Sequence, residues 1–290
     1  MTATTVRSPS GATAVPHAPA RFRQLLTAEW IKLWSLRSTY WVLGAGALTV
    51  IGINVNSAWS NADRLARLPA EPPAPPPGTP EKPVLTFDAM HTAFLDPAWQ
   101  IFMVVACSVG AIAVFGEYTS GLIRTTLTAV PDRRAVVLAK AAVVTGVMTA
   151  LGAAVACTAL LCTQYLLRDH GGVSLADPDA LRAVAGSALL APLCALVGMA
   201  IGAVVRHAAG AVVGSILTLL LLPVLFQGET YRWVAEIGNA MPLSAWETLS
   251  GNHWGAGRYP VTVTEAWLVY AAWAAGALLV AVEAVRRRDA

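Results

Sequence analysis

Six long apolar runs dominate this chain, at about residues 40–59, 98–116, 141–167, 183–205, 208–226 and 266–282, and the first five contain no Asp, Glu, Lys, Arg or His. A hydrocarbon core about 30 Å thick takes roughly 20 residues of helix at about 1.5 Å each. Each run is therefore read as a transmembrane helix, because six such runs do not fit one soluble core. Composition agrees. Charged residues make up 13% of the chain and mean hydropathy is +0.58, whereas soluble domains carry about 25% charge. The first run, YWVLGAGALTVIGINVNSAW, begins and ends in the aromatics expected at membrane interfaces.

Six spans place both termini on one side, and basic residues identify that side as cytoplasmic. With the termini lie 13 of the 20 Lys and Arg residues but only 5 of the 17 Asp and Glu residues. The formal charge is +8 on that side and −5 on the other, within a net +3. No apolar core of signal-peptide length precedes position 40, so the first span is expected to do the targeting. Arg outnumbers Lys 17 to 3, and Ala and Pro are abundant, which points to a bacterial genome of high GC content.

Residues 1–20 are rich in Ser, Thr, Ala and Pro and are expected to form a disordered tail; residues 21–290 form the membrane domain. From Phe22 to Arg37 the period becomes helical. Phe22, Leu25, Leu26, Trp30, Leu33 and Leu36 share one face, with basic residues elsewhere, as in an amphipathic helix lying on the inner leaflet. Glu29 breaks that face. It pairs either with Lys32 one turn on or with another part of the protein. Between Ser60 and Pro97 lies PAEPPAPPPGTPEKP, an extended external spacer.

After the second span comes the charged stretch GEYTSGLIRTTLTAVPDRRAVVLAK. Thr119 or Ser120 can cap a short helix there, with Ile123, Leu127 and Val130 on one side and Pro131 as its stop. Asp132 can cap the next helix, which runs past Lys140 into the third span. Asp177 with Pro178 marks another helix start. Spans four and five are joined only by Arg206 and His207. Gly198 and Gly202 precede that turn, and Gly210 and Gly214 follow it, spaced to allow close helix approach. In the external segment 227–265, Val234, Ile237 and Met241 recur at helical spacing, and Trp246 and Leu249 continue after Pro242. They are read as half-helices dipping into the outer leaflet, with a loose loop as the alternative.

Several chemistries are excluded. A phosphate-binding loop needs Lys after Gly, whereas the three lysines follow Ile31, Glu81 and Ala139. No nucleophile motif and no His/Glu cluster occurs, and Cys107, Cys157, Cys162 and Cys194 fall in apolar runs without metal-ligand spacing. No catalytic, cofactor or metal site is expected. Ion-driven carriers place ionisable groups at mid-membrane; here Asn54, Asn56 and Gln164 lie toward the outer half.

These residues resemble the membrane permease subunits of bacterial type-2 ATP-binding-cassette exporters. AEWIKLWSLRSTYW is similar to their leading amphipathic helix and first span. In the internal loop, Glu117, Gly121, Arg124, Pro131, Arg134 and Lys140 match the family's Glu, Gly, basic, Pro, Arg and Lys pattern, and Met241–Pro242 fits the external segment before the last span. The proline-rich first external loop departs from the family's bare hairpin. The resemblance implies a cytoplasmic coupling helix at 119–130 that contacts a separate ATPase subunit, with Glu117, Gly121, Ile123, Arg124, Leu127, Pro131, Arg133 and Arg134 as its coupling residues. It also implies a second permease subunit, identical or different, with ATP and Mg bound by the ATPase and no cofactor in this chain. Membrane lipid is the other expected partner, and nucleic acid is not one. The expectation is thus an all-α integral membrane protein of a bacterial plasma membrane that exports a substrate. A non-transporting anchor or sensor that recruits a soluble partner is the alternative.

Overall fold

A computed structural model describes residues 21–67, 89–122, 126, 132–168, 176–226, 228, 230–251 and 258–288. The expected N-terminal tail and the proline-rich spacer fall outside them. Among the described residues there are helices and turns and no strand. Helix α1 is Phe22–Ser35, α2 Arg37–Ala66, α3 Ala89–Ala93, α4 Asp96–Thr119, α5 Arg133–Leu167 and α6 Pro178–Val205. Then come α7 Ala208–Ile216, a π-helical turn Leu217–Leu221, α8 Leu222–Leu225, α9 Arg232–Asn239, α10 Pro242–Ser250 and α11 Val263–Arg288.

Among the described residues, six helical stretches are long and apolar enough to cross a membrane: Arg37–Ala66, Met90–Thr119, Arg133–Leu167, Pro178–Val205, Ala208–Leu225 and Val263–Arg287. The chain is a multi-pass membrane protein whose described residues build an all-helical bundle. Its axis is α6, of whose apolar window 78% is buried, against 28% for α2 and 22% for α11. Small residues make this possible. A Cβ on Gly198 would stand 1.9 Å from the Cys107 carbonyl oxygen of α4, and one on Gly110 would stand 1.9 Å from the Ala195 oxygen of α6. Gly202 meets the Ala111 oxygen in the same way at 2.8 Å. The backbones of α4 and α6 therefore touch, which only glycine permits. On its other side, α6 carries Pro192, which cannot donate a hydrogen bond to the carbonyl of Ala188. That carbonyl is the group against which Gly152 of α5 packs, 2.6 Å from its ideal Cβ position. Gly210 and Gly214 behave differently: their nearest neighbours are side-chain atoms of Val205 and Ile201.

The fifth span is not the uniform α-helix that its apolar run implies. Pro223 cannot bond to the carbonyl of Leu219, and its ring crowds that turn. The helix widens just before it, and the Leu222 amide bonds instead to the Leu217 oxygen, five residues back. The external segment is also corrected. It is helical in two pieces, but α10 is core rather than a surface element: Trp246 and Leu249 are fully buried, and Trp246 Nε1 donates to Ser187 Oγ of α6 at 2.8 Å. On α9, Trp233 and Ile237 are exposed. Gly251, at φ 73°, ends α10 in the left-handed region.

The opposite ends of the bundle are closed differently. At the α10 end, Trp99 packs on Phe94, Phe102 and Trp246. There Asn54 accepts from the Leu95 amide at 3.1 Å and so holds the start of α4 to α2. At the other end lie α1, the end of α4, the start of α5 and the α6–α7 turn, where Arg206 stacks over the Tyr118 ring at 4.2 Å. Ala281 and Val285 of α11 reach the same end.

Candidate functional site

Only part of the expected apolar face of α1 turns inward, with Leu26 packed beside Leu25. Phe22, Trp30 and Leu36 are exposed, whereas Leu25, Glu29 and Lys32 point into the bundle. Leu25 packs on Val136 and Ala139 of α5. Positions 25, 29 and 32 lie on one stripe at helical spacing, and the charges on that stripe have partners inside. Glu29 takes both of the routes open to it: it pairs with Lys32 and with another part of the protein.

Four charges meet there. Lys32 Nζ donates to Glu29 Oε1 at 2.7 Å and to Glu117 Oε1 at 2.8 Å. Lys140 Nζ donates to Glu117 Oε1 at 2.9 Å and also to Glu29 Oε2. The side chains of Glu29, Glu117 and Lys140 are 6%, 9% and 9% exposed, and only Lys32, at 34%, reaches solvent appreciably. The group is neutral overall. Each carboxylate receives two ammonium groups and each ammonium two carboxylates, which is how buried charge is tolerated. For Lys32, burial would lower its pKa, but its bonds to Glu117 and Glu29 outweigh that and hold the ammonium above its ordinary range.

Local sequence sets these positions. Glu117 sits in the last turn of α4. There Ser120 closes the helix on the Gly116 carbonyl, and Gly121 turns out of it at φ 72°, a conformation that suits glycine. Asp132 starts α5 by accepting from the amides of Arg134 and Ala135 at 3.1 and 3.2 Å. Two turns later Lys140 comes round to face Glu117. The two ends of the internal loop are thus tied to each other and to α1.

Of the residues expected in this loop, Ile123, Arg124, Leu127 and Pro131 lie outside the described residues, as does most of the expected coupling helix; Leu122 and Thr126 are helical. Glu117 points inward into the ion cluster. Gly121 is the terminator of α4. Arg133 is half-buried and shares a cavity of about 20 Å³ with Glu117 and Lys140, and Arg134 is exposed. The cluster as a whole was not legible, although a signal existed. In a chain with 17 Arg and only 3 Lys, two of the lysines are its cations. A compact ammonium can share three donors among several carboxylates, which a planar guanidinium cannot do in so small a space.

Beside the cluster an open cleft of about 360 Å³ separates α1 and α2 from α4. Glu29, Lys32, Glu117 and Lys140 form its floor, and Val42, Val109, Ile112 and Ala113 are among its apolar walls. Among the described residues no three His, Cys, Asp or Glu gather as a metal site. All four cysteines are free thiols, and buried Cys107 donates to Ser215 Oγ at 3.0 Å. No known family model and no curated protein sequence matches this chain.

Proposed function

We propose that this multi-pass protein is the permease subunit of an ATP-binding-cassette exporter, seated in a bacterial plasma membrane with both termini in the cytoplasm. It moves its substrate outward with a separate ATPase subunit, which binds ATP and Mg, and with a second permease subunit. The observation that carries this reading is the Glu29–Lys32–Glu117–Lys140 cluster. It joins α1, α4 and α5 where the internal loop leaves and re-enters the bundle. A force applied to that loop from outside acts on a stiff, triply connected base rather than on a slack turn. From α5 it passes to α6 through the backbone contact at Gly152. This arrangement suits a subunit that receives motion and has no nucleotide site of its own. In this reading Ile123 and Leu127 dock into a groove of the ATPase, Arg124, Arg133 and Arg134 set the register, and Glu117 works through the cluster.

The test is co-purification of an ATP-binding-cassette ATPase with this chain, followed by stimulated ATP hydrolysis in the reconstituted complex. Leu127→Asp places a charge in the apolar contact, where it is poorly solvated. Membrane insertion should be unchanged, while ATPase association and transport are lost; Arg124→Ala should weaken association less. An ATPase that never co-purifies, with another soluble partner in its place, would establish the anchor reading instead.

A further inference from the structure

We infer that the cleft between α1–α2 and α4 holds a phospholipid of the leaflet at the α1 end, one whose headgroup carries both a phosphate and a primary amine. The inference needs the six spans but not the transport reading, and it stands equally for an anchor protein.

The phosphate end rests on donors left over at one place. Lys32 Nζ makes two bonds, to Glu29 and Glu117, and has a third N–H to give. Helix α2 starts beside it, and its N-cap residue Leu36 provides no side-chain cap. The Thr39 amide bonds to the Leu36 oxygen, whereas the Ser38 amide has no partner among the described residues. The hydroxyls of Ser38 and Thr39 also bond to nothing among the described residues, although Thr39 is only 9% exposed. An ammonium, an uncapped helix start and two free hydroxyls form a phosphate cradle. All of these residues line the cleft.

The amine end rests on one acceptor. Glu117 is 7% exposed and receives both lysines on Oε1, while Oε2 accepts no hydrogen bond from the described residues. A primary ammonium can donate to that oxygen, but a trimethylated one has no N–H with which to do so. Because the cluster is neutral, a zwitterionic headgroup leaves it neutral, and a purely anionic one adds unbalanced charge beside two carboxylates. The remaining wall accounts for the tail. Val42, Val109 and Ala113 form an apolar trough, and Ile112, 42% exposed, marks where it opens sideways. A soluble phosphoamine would leave that wall empty.

The full chain, stripped of lipid in detergent, is titrated with phosphatidylethanolamine, phosphatidylcholine and phosphatidylglycerol of identical acyl chains, and bound lipid is counted by native mass spectrometry. Phosphatidylethanolamine should be retained about tenfold better than the other two, as one charge-assisted hydrogen bond predicts. Thr39→Val with Ser38→Ala, which strips the phosphate end that all three lipids share, should lower the retention of each about tenfold and keep their order. Ala113→Trp, which fills the trough, should likewise lower the retention of all three. Glycerophosphoethanolamine, which has the headgroup without chains, should not compete at equal concentration. Unfolding temperatures check that the variants fold, and Ser38→Ala alone, at an exposed position, serves if the pair does not. Equal retention of the three lipids by the unchanged protein, retention that none of the variants lowers, or full competition by the chainless headgroup would each overturn the inference.

Discussion

Lys140 and Glu117 stand 23 positions apart in the chain, on α5 and α4, and their Nζ and Oε1 atoms are 2.9 Å apart. Both groups also bond into α1, through Glu29 and Lys32. The internal loop is therefore clamped at its two ends and braced from a third helix. No member of such a group can be removed without leaving a buried charge short of partners.

Lys140→Met tests this directly. It would leave Glu29 and Glu117, both buried, to share Lys32 alone. Breaking a buried pair from one side typically costs about 3–5 kcal/mol. The expected outcome is a loss of that order in denaturant unfolding followed by tryptophan fluorescence in detergent. Adding Glu117→Gln removes one orphaned charge and should recover part of the loss, so the two effects should not add. A cost below about 1 kcal/mol for the single change would mean that water already screens the cluster.

The glycines separate into two classes. Gly110→Ala and Gly198→Ala put a methyl group 1.9 Å from a backbone oxygen, which can move away only if α4 and α6 part. Overpacking of this kind costs about 1–3 kcal/mol or more, and folded yield should fall sharply. Gly214→Ala meets only Cγ2 of Ile201 at 3.1 Å, a side-chain atom that can shift. Its yield and unfolding temperature should stay close to those of the unchanged protein. Equal behaviour of the three variants would show that the helix contact is looser than drawn.

The spans were legible because length and hydropathy are all a bilayer asks of a helix. The Asp132 and Asp177 caps were legible because capping is local chemistry. Glu29 stood out as a charge on an apolar face, but its partners lie on α4 and α5, and no local pattern names residues so far along the chain. Similarly, Gly198 announced a close approach without saying to what, and Gly110 drew no attention. The π turn at Leu217–Leu221 could have been suspected from Pro223, although a proline near a helix end can also simply stop it. Trp246 read as part of a half-helix dipping into the outer leaflet because its burial depends on Ser187 and Trp99, which belong to other helices.

The proposed orientation predicts a labelling pattern. In a version without its four native cysteines, Arg134→Cys at the α1 end should resist an impermeant thiol reagent in intact cells. Arg232→Cys, exposed on α9, should react. Both should react once the membrane is opened. Labelling of position 134 with position 232 protected would invert the assignment, and the charge asymmetry would then lack an explanation.

The last prediction concerns Glu247 on α10, outside the six spans. Burial, reinforced by the negative charge of Asp96 at the start of α4, pushes its carboxyl from an ordinary 4.5 up to about 7. A raised carboxyl pKa means that the folded protein holds this proton more tightly than the unfolded chain does. The contribution to stability is complete below pH 4.5, where both states are protonated. It is lost as pH rises through about 7, where the folded state must carry a buried negative charge. Glu247→Gln keeps the shape and removes that charge. The variant should match the unchanged protein near pH 4.5 and exceed it at pH 8 by up to about 3 kcal/mol, which is read as a higher unfolding temperature. The difference between the two proteins should grow across the interval between those pH values and level off above it. A difference that is flat with pH, or that grows toward acid, would mean that Glu247 is solvated in the folded state and that α10 sits less deeply against α4 and α6 than its buried Trp246 implies.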